Sequence, residues 1–329
     1  MGEKIEKELK WAVLGTGIIA NEMAQALEKM GKKLYAVANR THSKAVEFAE
    51  KYGVQKVYDK IEDMFYDDET DIIYITTPHN THIKFMIEAL KNGKHVLCEK
   101  SITLNSEELE EAVKIAKEKN LILGEAMTIF NMPLYTELLE IVNSGKLGDV
   151  KMIQVNFGSY KEYDMNNRFF NRNLAGGALL DIGVYAISIT RLFMTSKPDN
   201  VLSQVKYAPT GVDEQASIIM MNKEQQMSTI ALTLHSKQPK RVVIACEKAY
   251  IEITEYPRAD KTKIVYTETG EIEEITAGMT ANALQYELQN MEESVKTGIN
   301  KMKLEYTIDV MDIMTKLRKE WGMTYPEEE

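Results

Sequence analysis

The chain has 329 residues, which is long enough for two domains with separate hydrophobic cores. Its 40 Lys and Arg residues against 50 Asp and Glu residues give a formal net charge of −10, and no basic cluster indicates nucleic acid or an anionic membrane surface as a partner. The only two cysteines, Cys98 and Cys246, lie in apolar strand-like segments, which favours reduced thiols and a cytoplasmic location.

Strand-like and helical segments alternate over the first 124 residues. Apolar runs typical of buried strands cover 10–14, 34–38, 71–76, 94–98 and 121–123, and helical patterns cover 20–29, 43–52, 81–91 and 106–120. Continuous apolar strands separated by helices predict a doubly wound parallel sheet.

A glycine turn joins the first strand to the first helix. Gly15-Thr16-Gly17-Ile18-Ile19-Ala20 follows the apolar run directly and opens the helical segment. Gly15 permits a sharp turn, and Gly17 lets the backbone approach a pyrophosphate because it has no side chain. The free N–H groups and the dipole of the helix would bind the phosphates. We therefore predict an NAD(P)-binding Rossmann domain over residues 1–124.

The second strand indicates which dinucleotide binds. Rossmann domains that select NAD place Asp or Glu after this strand, whereas this chain has Asn39-Arg40-Thr41. The Arg40 guanidinium can pair with a 2′-phosphate, and Asn39 can add a hydrogen bond. This favours NADP, with NAD as the second choice if Arg40 only stacks on the adenine.

Residues 125–329 have a different pattern and form the predicted second domain. Strand patterns cover 150–157, 200–207, 216–221, 227–234, 241–246 and 249–254, and helical patterns cover 133–143, 178–194, 282–297 and 306–321. These predict a C-terminal α+β domain with an open, mainly antiparallel sheet, one face of which is covered by helices. The apolar stretch 177–194 contains Asp181 and Arg191, so no membrane span is predicted. The last four residues are expected to form a frayed tail.

Two patterns carry candidate chemistry. Glu99 and Lys100 follow a strand directly, where parallel sheets place ligand sites, although such a pair is also common as a surface salt bridge. Asp181 and Tyr185 share one face of a helix that a glycine pair opens, although capping glycines and a half-buried Tyr would explain this equally well. His79 and His82 lack neighbouring Cys or carboxylate partners, so no metal site is predicted.

These motifs together resemble the family of glucose–fructose oxidoreductase and inositol dehydrogenase (Gfo/Idh/MocA) over nearly the whole chain. The resemblance rests on the glycine turn, on residues 77–82, on Glu99-Lys100 and on residues 177–185. The segment ending at Tyr185 is most similar to the branch of dihydrodiol dehydrogenase and NADP-dependent xylose dehydrogenase. That branch has Tyr where inositol dehydrogenases have His.

The resemblance implies a role for each matching residue. Lys100, Tyr185 and Asp181 would be catalytic: Lys100 polarises the carbonyl oxygen and favours the phenolate of Tyr185, and Asp181 holds substrate hydroxyls or orients Lys100. The implied cofactor-binding residues, beyond those of the glycine turn and the second strand, are Thr77, Pro78, Asn80, His82 and Glu99. The implied reaction is hydride transfer between the nicotinamide and a secondary alcohol or anomeric carbon of a sugar, polyol or cyclic diol.

The chain also departs from the family pattern. Ser101 replaces a proline that rigidifies the turn after Lys100, so we expect a less fixed lysine. Thr128 and Phe130 replace a Trp and an Arg that face the substrate in the branch, and Arg168 is a third candidate substrate contact. We further expect a homodimer or higher oligomer through the C-terminal sheet. The alternatives are a non-catalytic dinucleotide sensor and redox-neutral glycosidase chemistry on a retained NAD.

Overall fold

A six-stranded parallel sheet forms the first layer of the structure, a computed structural model that describes residues 8–329. Its strand order is β3-β2-β1-β4-β5-β6, which confirms the doubly wound parallel sheet predicted from the sequence. The elements are β1 (Trp11–Leu14), α1 (Ile18–Lys29), β2 (Ala36–Ala38), α2 (His42–Tyr52), β3 (Lys56–Val57), α3 (Ile61–Phe65), β4 (Ile72–Ile75), α4 (His82–Lys91), β5 (His95–Glu99), α5 (Ser106–Glu118) and β6 (Leu123–Ala126).

The glycine turn after β1 has a clear steric cause. Gly15 has a φ of 113°, and a Cβ atom there would lie 2.5 Å from Oγ1 of Thr76, so only glycine fits. Its N–H donates to the carbonyl of Ala38 at the end of β2. The carboxyl ends of β1, β2, β4 and β5 therefore meet at one edge of the sheet, where α1 begins. The short β3 and α3 were not predicted, because two and five residues are too few to show a periodic pattern.

The second domain is built on an eight-stranded sheet in the order β14-β13-β12-β11-β7-β10-β9-β8. Every neighbouring pair is antiparallel except β7 and β10, which confirms a mainly antiparallel sheet. The predicted domain boundary at residue 124 falls inside β6. The elements are α6 (Thr128–Asn131), α7 (Pro133–Asn143), β7 (Val150–Gly158), a π-helical turn (Leu179–Gly183), α8 (Val184–Phe193), β8 (Asn200–Tyr207), β9 (Asp213–Met221), β10 (Met227–Thr233), β11 (Gln238–Cys246), β12 (Ala249–Thr254), β13 (Lys261–Tyr266), β14 (Ile272–Thr276), α9 (Ala283–Thr297) and α10 (Leu304–Glu320).

Helices cover one face of this sheet. α8 packs against β7, β10 and α10, while α9 returns to the first domain and packs against α1. Trp11 in β1 donates its indole N–H to Glu292 of α9 at 3.0 Å. The stretch Arg172–Phe193, which includes the π-helical turn and α8, contains an 18-residue window with a mean hydropathy of 1.3, apolar enough to cross a membrane, but 78% of that window is buried inside the protein. It is therefore a core segment of the second domain.

The expectation of a frayed tail is wrong. Pro326–Glu328 form a 3-10 turn that contacts both domains. Glu328 accepts hydrogen bonds from the buried Arg318 at 2.8 Å and from Asn105, the residue that caps α5, at 2.8 Å. Tyr325 is fully buried and donates to the carbonyl of Gly176 at 2.7 Å. Three consecutive glutamates predict a solvated segment. The prediction failed because their partners lie elsewhere in the chain, where the local sequence does not reveal them.

Candidate active site

A cleft of about 510 Å³ lies between the two domains, at the carboxyl edge of the parallel sheet. The first domain contributes the start of α1, the loop after β4 and the end of β5. The second domain contributes the loop before the π-helical turn and the helix itself. The lining residues are Gly17–Ile19, Thr76–His79, Glu99, Lys100, Arg168, Phe169, Leu174–Gly177, Asp181 and Tyr185.

The glycine-turn side of the cleft has room for a dinucleotide. A Cβ atom on Gly17 would meet no other atom within 4 Å, so open space lies beside this backbone. Ile18 is 84% exposed although it is apolar, which is typical of a residue that covers a ligand. Beside the turn, Asn39 donates to the hydroxyl of Thr16 at 2.7 Å and accepts from the N–H of Thr41 at 2.8 Å. These bonds fix the end of β2, where the exposed Arg40 follows.

The segment after β4 divides into lining and supporting residues. Thr77 and Pro78 line the cleft as predicted, but Asn80 does not: its amide donates to Glu327 at 2.5 Å. His82 is fully buried and hydrogen-bonds the carbonyls of Thr77 at 2.7 Å and Ser101 at 3.0 Å. Two residues predicted to bind the cofactor thus support the loops around it. In residues 8–329, no group of three or more His, Cys, Asp and Glu side chains could hold a metal ion.

Three candidate catalytic residues meet at the bottom of the cleft. The Nζ of Lys100 donates to the carbonyl of Asp181 at 2.8 Å and lies 3.4 Å from its Oδ1. The same Nζ lies 4.9 Å from the centroid of the Tyr185 ring. Ser101 is buried, and its hydroxyl donates to the carbonyl of Leu180 at 2.9 Å. This bond ties the turn after Lys100 to the second domain, so the expected loosening of the lysine is not supported.

The second domain presents Asp181 and Tyr185 through an unusual helix start. Asp181 lies in the π-helical turn and Tyr185 in the first turn of α8, rather than on one continuous α-helix as predicted. Gly177 has a φ of 124°, and a Cβ atom there would lie 2.1 Å from Oδ1 of Asp213. The other oxygen of Asp213 accepts the N–H of Leu179 at 2.6 Å. A buried carboxylate therefore caps this helix, and glycine is needed for its approach.

Burial and charge act in opposite directions on these groups. Burial alone would lower the pKa of Lys100, but the nearby Tyr185 and Asp181 raise it above the ordinary value. Burial would raise the pKa of Asp181, but the charges of Lys100 and Arg168 hold it below the usual range. Lys100 and Asp181 are therefore an ammonium and a carboxylate at neutral pH.

The pKa of Tyr185 differs from the prediction that Lys100 favours its phenolate. Burial raises its pKa to about 12, and the lowering effect of Lys100 only partly offsets this. The hydroxyl therefore keeps its proton at neutral pH, instead of ionising readily beside the lysine. Within the part of the chain that the structure describes, no group hydrogen-bonds this hydroxyl, so it is available to a ligand oxygen.

The predicted substrate contacts are only partly found in the cleft. Arg168 lines it, 3.7 Å from Oδ1 of Asp181. Thr128 is buried and donates to the carbonyl of Pro257 at 2.5 Å, and Phe130 is buried against Tyr306 with 5.8 Å between ring centroids. Their placement facing the substrate is therefore not supported, because both side chains are enclosed by the packing around α6.

Other residues that line the cleft, among them Phe169, Leu174 and Ala175, were not predicted from the sequence. Adjacency to Arg168 was the only available signal for Phe169. A further polar residue near this side, Lys161, was also missed, because it follows β7 in a segment with no recognisable motif.

Both parts of the chain match models of the same protein family. A family model described as an oxidoreductase family with an NAD-binding Rossmann fold (GFO_IDH_MocA) matches residues 9–127, and a model of the GFO/IDH/MocA C-terminal domain matches residues 135–252. Trans-1,2-dihydrobenzene-1,2-diol dehydrogenase of Xenopus laevis is 29% identical over 332 residues, covering 96% of this chain and 99% of the relative.

Two solved structures share the fold over almost the whole chain. One is a 3-ketoreductase from Actinomadura kijaniata in complex with NADP and TDP-benzene, with a TM-score of 0.84, 19% identity and coverage of 95% of this chain and 98% of that chain. The other is levoglucosan dehydrogenase in complex with NADH and L-sorbose, with a TM-score of 0.84, 16% identity and coverage of 95% and 96%.

Proposed function

Because this chain belongs to the Gfo/Idh/MocA family of oxidoreductases, we propose that it transfers a hydride between NADP and a CH–OH carbon of its substrate. The substrate is a sugar, polyol or cyclic diol that reacts at a secondary alcohol or anomeric carbon. The observation that carries the proposal is the meeting of Lys100, Asp181 and Tyr185 in the cleft that the glycine turn opens. A non-catalytic dinucleotide sensor would not need this arrangement.

The first domain binds the cofactor. The N–H groups at the start of α1 would hold the pyrophosphate, and Thr77, Pro78 and Glu99, which line the cleft, would contact the nicotinamide half. Arg40 would pair with the 2′-phosphate, since no acidic residue follows β2 to bind a free 2′-hydroxyl. The NADP complex of the ketoreductase with the same fold also supports NADP. When bound, NADP accepts or supplies the hydride.

The second domain completes the chemistry on the oxygen of the substrate. Lys100 donates a charged hydrogen bond to this oxygen and stabilises negative charge that develops on it. Asp181 holds the ammonium in place, since its carbonyl and carboxylate lie at 2.8 and 3.4 Å from Nζ. Tyr185 moves the proton: it donates to the oxygen during reduction and accepts from it during oxidation.

The pKa of Tyr185 favours the reduction of a carbonyl in this site. A phenol with a pKa of about 12 is protonated at neutral pH and can donate at once. Oxidation requires the phenolate, which is scarce at neutral pH. We therefore expect faster reduction than oxidation at neutral pH when both are measured at saturating substrate.

The test is a panel of aldoses, polyols, trans-diols and the corresponding ketones, with NADPH or NADP and in parallel with NADH or NAD. Turnover with NADP and a tighter complex with NADPH than with NADH support the proposal. A tighter NADH complex reverses the cofactor assignment, as in levoglucosan dehydrogenase with NADH. Glycoside cleavage without net change in nicotinamide absorbance would indicate redox-neutral chemistry instead.

We propose that the outer face of the large sheet joins two copies of the chain in the cytoplasm. One register row crosses seven strands and is apolar throughout: Met221, Met227, Met152, Ala245, Tyr250, Val265 and Ile272. Met227 and Tyr250 are 40% and 38% exposed. Such a continuous apolar row on a surface is typical of an interface. Sedimentation should give a dimer or larger at micromolar concentration, and only monomer would contradict this.

A further inference from the structure

The wall of the cleft that comes from the loop after β7 carries two cations on one aromatic ring. The Cζ of Arg168 and the Nζ of Lys161 each lie 4.2 Å from the centroid of Phe169. Arg168 and Phe169 line the cleft together with Asp181 and Tyr185. The ring therefore holds the two positive groups together at the edge of the proposed substrate site.

Negative charge near these cations is insufficient to balance them. Asp181 lies 3.7 Å from Arg168, but it already accepts from Lys100. Another lysine of this region, Lys240, is paired with Glu255 at 2.9 Å. Among residues 8–329, no carboxylate forms an ion pair with Lys161. Its pKa is lowered, first by burial and then by the charges of Arg168 and Lys100, against the raising effect of Asp181.

The excess of positive charge here contrasts with the acidic balance of the whole chain, whose net charge is −10. Some lysines elsewhere are paired with carboxylates, such as Lys206 with Glu214 at 2.8 Å and Lys146 with Glu273 at 2.9 Å. Cations gathered in a cleft repel each other, and a low-dielectric wall strengthens their attraction for an external anion. The cofactor phosphates would not balance this charge, because the glycine turn that would hold them belongs to the first domain.

Building on the proposed function, we propose that the substrate carries an anionic group, a carboxylate or a phosphate, which Lys161 and Arg168 bind. Arg168 is suited to this because its planar guanidinium can bind two oxygens at once, and 60% of its side chain is exposed and free to turn. The reacting oxygen of the same molecule then lies between Lys100 and Tyr185. A neutral sugar would leave Lys161 without a partner, so the cluster favours an anionic substrate over a neutral one.

Binding can be tested separately from turnover. The complex with NADPH is titrated calorimetrically with glucuronate, glucose 6-phosphate and glucose, at low and at high salt. We expect at least one anion to bind about tenfold or more tightly than glucose, with weaker binding at high salt. Comparison of the two anions separates a carboxylate from a phosphate site. Lys161→Met should weaken the preferred anion about tenfold and leave glucose binding unchanged.

Two further variants complete the experiment. Lys161→Arg should keep the anion preference, and Lys237→Met, at an exposed lysine outside the cleft, should change nothing. Equal affinity for the three sugars, no binding by any of them, or unchanged anion binding in Lys161→Met would overturn the inference. Turnover is measured on the same samples. Anion binding without hydride transfer would contradict only the proposed function, and turnover without any anion preference would contradict only the inference.

Discussion

Replacement of Lys100 by Met tests whether its charge acts on the reacting oxygen. An oxygen hydrogen-bonded to Nζ lies at roughly 3 Å, where a half-developed charge interacts with the ammonium by about 3 kcal/mol at an effective dielectric constant of about 20. Loss of this interaction slows the chemical step about 100-fold. Asp181 would also keep its charge near the oxygen without its main partner, so the fall in kcat should be about 100-fold or more.

The assay must separate chemistry from folding and cofactor binding. We expect the Kd for NADPH, measured by fluorescence, to stay within about threefold of the parent value, because Lys100 acts on substrate oxygen. Removal of one partner of a buried pair can itself cost about 3–5 kcal/mol, so the free energy of unfolding is measured too. The exposed Lys91, at the end of α4 and outside the cleft, provides the matched Lys91→Met control.

Two outcomes would contradict this role of Lys100. A folded Lys100→Met protein that binds NADPH normally and keeps kcat within about threefold of the parent would show that the ammonium does not stabilise the transition state. A large loss of NADPH affinity with unchanged kcat would instead place Lys100 in cofactor binding.

Three other outcomes follow from single groups. The kcat for oxidation should rise about tenfold per pH unit from about pH 6 to 9, because the fraction of Tyr185 present as phenolate increases with pH below its pKa of about 12. The kcat for reduction should stay nearly constant over this range, and similar pH profiles for both directions would contradict the role of Tyr185. Arg40→Ala should weaken NADPH binding about tenfold or more and NADH binding little, and an equal loss for both would remove the 2′-phosphate assignment. Glu328→Gln should lower the free energy of unfolding at neutral pH by about 3 kcal/mol, because it removes the charged partner of the buried Arg318, while Glu327→Gln at an exposed position should cost far less. Since Arg318 and Asn105 hold the pKa of Glu328 below its ordinary value despite its burial, this contribution should disappear as the pH falls through the acidic range, and urea titrations at several pH values check both points.

The sequence determined the first domain almost completely. The alternation of apolar strands with helices is local information, and the glycine turn leaves a pattern of three small residues because its geometry excludes side chains. Lys100 and Asp181 could be identified because they belong to motifs that are contiguous along the chain. Strands β13 and β14 escaped prediction because they are short and at least half of their residues are Lys, Glu or Thr.

How the groups of the site act on each other depends on contacts between segments that are distant along the chain. The burial that raises the pKa of Tyr185 and the packing that encloses Phe130 come from elements distant in sequence. The same is true of Lys161, which stands beside Phe169 only after the loop folds, and of the tail, where Glu328 meets Arg318 and Asn105. Desolvation and charge interactions depend on distances in space, and the order of residues along the chain does not record those distances.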